Sequence, residues 1–368
     1  MSTKLKLVVI GLSLSSSWGN GHATTYRALL KSFAARGHDV LFLEQDQPWY
    51  AAHRDLGEPD YCELAFYKSS SQLSRFAARV AAADAVIVGS YVAGGIDVGQ
   101  WVQRTARGVT AFYDIDTPVT LALMADGRCD YLSPAVIPAY DLYFSFTGGP
   151  TLRRLEEDFG AQRALPLYCS VDAEAYRPIE TPWLYDLGYL GTYSADRQPA
   201  LERLLLEPAR RLPHMRFVVA GPQYPAAIDW PANVARLEHV CPKDHARFYA
   251  ACRYTLNVTR SDMIAAGYSP SVRLFEAAAC NTPIISDAWE GIEEIFVPDR
   301  EIIIAAGMQE VIACLSDADD VRRNRIARLA RRKVLGAHTS AHRAAELEAA
   351  LMGSIGASRA AVSQAASS

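Results

Sequence analysis

Tyr268–Asp287 reads YSPSVRLFEAAACNTPIISD, and its reading decides the fold. Ser269 is a good helix N-cap, because a short hydroxyl accepts from the free N–H groups of a first turn. Pro270 follows where a missing N–H costs nothing. VRLFEAAAC places Val272, Phe275 and Ala279 on one helical face. Asn281 suits the left-handed position that ends a helix, and Pro283 blocks its continuation. PIIS is then a short buried strand with Asp287 at its carboxyl end. A capped helix running into an apolar strand is the repeating element of a parallel α/β sheet.

The start of that helix is a ready anion site, since its free N–H groups and dipole end are positive. Ser269 and Ser271 add hydroxyl donors there, and Glu276 lies about two turns further in. A carboxylate at that depth would accept from a ribose diol while the helix start holds phosphates. The competing possibility is a capped surface helix with an Arg273–Glu276 ion pair at i,i+3.

RLFEAAACNTPIISD resembles the donor-binding segment of GT-B glycosyltransferases, whose usual form is close to LEAMACGTPVVA. The wider stretch from Leu256 to Phe296 is similar to glycosyltransferases related to the spore-maturation protein CgeB, and so is DIDTP at 114–118. The resemblance implies a GT-B fold: two Rossmann-like, doubly wound parallel-sheet domains facing a central cleft. It also implies that Glu276 binds the ribose of a nucleotide sugar. Two positions depart from the pattern. Retaining members often carry a second Glu eight positions earlier, where this chain has Tyr268, and Asn281 stands where Gly normally follows the helix.

Working outward, 368 residues suit two domains, and half of them are apolar, enough for two cores. A net charge of −4 gives no reason to expect nucleic acid or an anionic membrane. Seven scattered cysteines without a C-x-x-C pair read as reduced thiols of a cytoplasmic protein. MSTKLKLVVIG runs directly into a strand and reads as neither signal peptide nor membrane span.

Leu5–Gly11 is a strand buried on both faces, TTYRALLKSFAARGH an amphipathic helix and DVLFLE the second strand. The loop between strand and helix holds Gly19, Asn20, Gly21 and His22. With Glu44 closing the second strand, it has part of a dinucleotide fingerprint. However, Thr24 replaces the third glycine, and the glycines come too late after the strand, which argues against NAD. In GT-B enzymes this loop meets donor or acceptor, which makes His22 a candidate general base or sugar contact. Alternatively, His22 helps to cap its helix. VTAFYDID is another strand, ending in Asp114 and Asp116, where parallel sheets place ligands. Either aspartate would activate an acceptor hydroxyl or bind sugar, and Asp116 also suits an N-cap.

The alternation restarts after the proline-bearing stretch 177–182. Domains are expected at 1–175 (acceptor side) and 183–335 (donor side), with a helix at 336–353 returning to the first and a disordered tail at 354–368. In the second half, Gly191 and Arg197 follow the first strand, and Arg260 follows TLNVT at a strand end. Both arginines, with Arg273, are candidates for a diphosphate, which the planar guanidinium fits well. Arg260 would also serve catalysis by neutralising the leaving group. Asp287, Glu290 and Gly291 would reach the sugar ring, as would Gly19, Asn20 and Gly21. VRRNRIARLARRKVL reads as a solvated basic helix.

The resulting expectation is a metal-independent, hexosyltransferase-type enzyme without a cofactor. Its co-substrate would be a UDP-, GDP- or dTDP-linked sugar, and its acceptor an unidentified saccharide, protein or small molecule. A nucleotide-sugar epimerase of the same fold and a non-catalytic nucleotide-sugar or partner-binding module are the alternatives, the latter motivated by Tyr268.

Overall fold

A computed structural model describes residues 4–19 and 21–365, with side chains described as far as 357. The chain divides into two compact units. The first comprises Met1–Ser17, His22–Tyr168 and Ser340–Ser368, and the second Trp18–Gly21 and Cys169–Thr339.

The first unit is built on a seven-stranded parallel sheet. Its strands are β1 (Lys6–Gly11), β2 (Asp39–Gln45), β3 (Glu63–Tyr67), β4 (Ala85–Gly89), β5 (Val109–Asp114), β6 (Leu142–Ser145) and β7 (Ala164–Pro166). Their order is β3-β2-β1-β4-β5-β6-β7. The runs KLVVIG, DVLFLEQ and AVIVG are nearly continuous in apolar residues and buried on both faces, as inner parallel strands must be.

The second unit has a six-stranded parallel sheet: β8 (Tyr185–Leu190), β9 (Phe217–Ala220), β10 (Val234–Leu237), β11 (Cys252–Asn257), β12 (Ile284–Ser286) and β13 (Ile303–Ile304). The order β10-β9-β8-β11-β12-β13 repeats, strand for strand, the first six positions of the other sheet. Both therefore have the Rossmann order, and both reverse direction of travel beside their first strand: between β1 and β4, and between β8 and β11. Loops at the carboxyl ends of these strands flank the crevice in which such sheets bind ligands.

The final helix, Ser340–Ala365, belongs to the first unit. It packs Ala344, Leu347 and Leu351 into that unit's core. Ser340 bonds Ser32 at 2.7 Å, and Glu348 accepts from Arg36. The expected disorder from 354 does not hold as far as Ala365, because the helix continues; 366–368 lie outside the described residues.

The helix Asp320–Ala337 corrects the expectation of a solvated basic helix. Ile326, Ala327, Ala330 and Val334 are buried, and Arg331 donates to the carbonyl of Ala279 at 3.1 Å. That contact places a cation at the carboxyl end of the Val272–Ala279 helix, where the dipole favours one. No helix among the described residues is long and apolar enough to cross a membrane.

Candidate functional site

In the second unit, the helix Val272–Ala279 begins beside the switch point of β8 and β11. Its N-cap is Ser271, whose Oγ accepts from the N–H of Arg273 at 3.3 Å. The expected cap, Ser269, is fully buried and donates instead to the carbonyl of Gly267 at 2.8 Å. The reason lies in the preceding backbone: Gly267 and Tyr268 both have positive φ, 65° and 49°, and turn the chain back on itself. Pro270 and Ser271 then run extended, and the helix starts two residues later than the sequence suggests.

Arg273 dominates this end. It is 7% exposed. Its Nε donates to the carbonyl of Leu190 at 2.6 Å, and one terminal nitrogen donates to Asn257 Oδ1 at 2.9 Å and Ser271 Oγ at 3.3 Å. The guanidinium lies over the Tyr189 ring at 4.7 Å. All these partners are neutral, and among the described residues no carboxylate comes within ion-pair distance. The buried Asp287 feels its charge from beyond ion-pair distance, and an anion at the helix mouth would be attracted to the same guanidinium. Gly191 makes room for it: a Cβ there would stand 2.7 Å from both the Arg273 guanidinium and the Tyr189 hydroxyl.

The ion pair Arg273–Glu276 does not form. Glu276 is 4% exposed, and its Oε2 accepts from the Tyr249 hydroxyl at 3.0 Å, with His245 Nδ1 at 3.8 Å. Arg197 follows β8 and donates to the carbonyl of Thr192 at 2.7 Å. Arg260 follows β11, with its Nε 3.9 Å from Asp196. Asp196 also accepts from the N–H of Ser261 at 3.1 Å, tying the two switch-point loops together. Burial pushes the Asp196 carboxyl up, but bonds from Ser194 and Ser261 and the charges of Arg260 and Arg197 outweigh it, and the net shift is downward.

Asp287 is not presented to a ligand. Its oxygens accept from the N–H and hydroxyl of Thr259 at 2.8 and 2.7 Å, pinning the loop after β11. Burial raises its pKa despite those bonds. Glu290 contributes its carbonyl, which accepts from the N–H of Tyr268 at 2.6 Å, while its side chain is exposed. Gly291, at φ 86°, leaves space for the Tyr268 ring, which a Cβ would meet at 2.4 Å.

In the first unit, His22 opens the helix His22–Ala35 beyond β1, and Asp116 precedes the helix Thr117–Ala125 beyond β5. His22 Nε2 lies 3.5 Å from Asp116 Oδ2. The histidine is 7% exposed, and its Nδ1 is buried without a hydrogen-bond partner among the described residues. Asp116 stands at the N-cap position but makes no side-chain cap bond. Asp114, by contrast, is fully buried and occupied on both oxygens: Tyr143 donates at 2.6 Å and Thr120 at 2.8 Å. Burial lifts its pKa to about 6 against those two bonds, with a further push from Asp116. It is a network centre rather than a presented acid. Gly19 adopts φ 68°, Gly21 is exposed, and Asn20 lies outside the described residues.

Glu44 explains why the dinucleotide pattern is only apparent. It is fully buried, accepts from the N–H groups of Leu14 and Ser15 at 2.7 and 2.8 Å, and accepts from the Ser15 hydroxyl at 2.6 Å. The carboxylate holds the loop after β1 and is not free for a ribose. Sequence reasoning missed that clamp, and also missed Asn257 and Tyr189 beside Arg273. The buried asparagine in TLNVT was the available signal, since a buried amide needs a partner.

Residues 197–349 match the family model described as glycosyl transferase-like. No curated protein sequence matches the chain. Among solved structures, it is similar to a sucrose-phosphate synthase from Thermosynechococcus elongatus, at 14% identity and a TM-score of 0.72 over 96% of this chain and 100% of that one. It is also similar to Anabaena HepE in complex with UDP-glucose, at 12% identity and 0.68 over 95% and 100%. An alpha-glucosyltransferase in complex with UDP and a 13-mer DNA containing an HMU base is similar at 11% identity and 0.70 over 95% and 100%. The two Rossmann-like units with parallel sheets have the architecture of GT-B glycosyltransferases.

Proposed function

We propose that the protein is a glycosyltransferase that moves a hexosyl group from a nucleoside-diphosphate sugar, UDP-linked in the first instance, to an acceptor hydroxyl. The observation that carries this is Arg273: a buried guanidinium with only neutral partners, at the mouth of a helix and beside the switch point of its sheet. A diphosphate is attracted to that charge. The glycosyl transferase-like match over 197–349 includes Arg273 and Asn257. The UDP complexes of the structural neighbours support the choice of base.

In this account, the second unit binds the donor. The helix start, Arg273, Arg197 and Arg260 hold the diphosphate, with Arg260 exchanging Asp196 for phosphate. Glu276, which Tyr249 holds on Oε2 and Tyr176 also bonds, is the candidate acceptor of a ribose hydroxyl. The first unit supplies the base. The His22–Asp116 pair is the candidate base for the acceptor hydroxyl. During transfer, the bond from the anomeric carbon to the β-phosphate oxygen breaks, and its electron pair leaves with the diphosphate. The acceptor oxygen bonds to that carbon, and its proton passes to the His22–Asp116 pair. Charge grows on the leaving phosphate as the bond lengthens, so fixed cations stabilise the transition state more than the ground state. Charge neutralisation falls to arginines, so no metal is assigned a role.

A thermal-shift screen of UDP, GDP, ADP and dTDP and their hexose conjugates tests the proposal. The expected result is stabilisation by UDP and UDP-hexose, with slow release of UDP from the sugar nucleotide in the presence of acceptors. Binding without turnover across a broad acceptor panel would support a binding module instead, and no binding of any nucleotide would overturn both.

A further inference from the structure

Tyr91 is the second residue after β4, across the first sheet's switch point from His22. Its φ is 62°, a left-handed backbone that a bulky L residue rarely adopts. Such a conformation persists only where the surroundings over-determine it, and residues so held concentrate at functional sites. Here the surroundings do. The N–H of Ser90 donates to the Tyr113 carbonyl at 3.0 Å, and Ser90 Oγ accepts from the N–H of Ile115 at 3.1 Å.

The Tyr91 ring packs at 4.7 Å on the buried ring of Tyr131 and meets the His22 imidazole edge-on at 5.2 Å. Tyr131 and Thr120 share a hydrogen bond of 2.9 Å, and Thr120 donates to Asp114 at 2.8 Å. A continuous chain of contacts thus runs from the buried Asp114 to the face of His22. The imidazole's ion-pair contact among the described residues is with Asp116, at a long 3.5 Å.

We infer that Tyr91 is a positioning residue for His22: its ring, backed by Tyr131, Thr120 and Asp114, fixes the imidazole plane so that Nε2 faces Asp116. This rests on the proposed role of His22 as base, but the orientation is a property of the first unit alone and is measurable without substrate.

The test uses full-length protein labelled with 15N-histidine, with His22 resonances assigned by comparison with His22→Gln. Variants are Tyr91→Phe, which keeps the ring, and Tyr91→Gly, which removes it and adopts the left-handed backbone freely. Wild type and Tyr91→Phe are expected to show one neutral tautomer with the proton on Nε2. Tyr91→Gly is expected to show averaged Nδ1 and Nε2 shifts and at least a tenfold lower kcat for UDP-glucose hydrolysis, with an unchanged Kd for UDP. A Tyr91→Gly variant that keeps the wild-type tautomer would overturn the inference, whatever its activity. If wild type neither binds UDP nor hydrolyses the donor, the proposed function fails, and the tautomer comparison still decides the role of Tyr91.

Discussion

At the scale of single residues, burial separates carboxylates that the sequence presents as equivalent. Asp114 and Asp116 stand two apart at one strand end, yet Asp114 is sealed beneath Tyr143 and Thr120 while Asp116 reaches His22. The sequence locates the pair but not this division, because it depends on which side chains from β6 and the following helix cover each oxygen. The raised pKa of Asp114, about 6 against an ordinary 3.8, has a stability consequence. Between those values the native state binds more protons than the unfolded chain, so stability falls as pH rises. Two units at 1.36 kcal/mol each give a loss of roughly 3 kcal/mol between about pH 4 and pH 6 from this group. Asp114→Asn, which does not titrate, is expected to flatten that part of a denaturant-derived stability profile. An unchanged slope would mean that Asp114 ionises without cost.

At the scale of elements, the stretch 268–287 was legible in outline and misread at one end. The helix, its stop and the strand after it lie where the sequence puts them, and Asn281 has φ 61°, as its position requires. The start was misread because tertiary backbone geometry at Gly267 and Tyr268 moves the cap from Ser269 to Ser271. The basic helix was misread because the arginines are long enough to leave a narrow stripe of Ile326, Ala327, Ala330 and Val334 for packing. ALERLLLEPARRL, residues 200–212, reads as one amphipathic helix. It is broken by a π turn over Glu202–Leu206, just before Pro208, a residue that donates no N–H to a regular helix. Asn281→Ala is expected to lower stability by up to about 1 kcal/mol, because Ala keeps the Cβ but loses the amide that lets Asn tolerate left-handed backbone, whereas Asn281→Gly, which has no Cβ, should lose none. Denaturant midpoints of the two variants check this, and equal losses would mean that the Asn281 side chain, not the backbone state, matters.

At the scale of the whole molecule, the alternation of apolar strands and helices was enough to specify two Rossmann-like units. The identical strand order of the two sheets was not readable, because pairing partners leave no local trace in a sequence. That shared order gives each unit one crevice. In the first it holds the His22–Asp116 pair, and in the second the buried guanidinium of Arg273, which among the described residues has no carboxylate within ion-pair distance. The most direct test is calorimetric titration of UDP into the full-length protein and into Arg273→Met, with EDTA present. Hydrogen bonds to charged groups contribute about 1.5–3 kcal/mol, so the account predicts saturable binding to wild type and a Kd weakened about 10- to 150-fold in a folded variant. Equal affinity in the two proteins would contradict it.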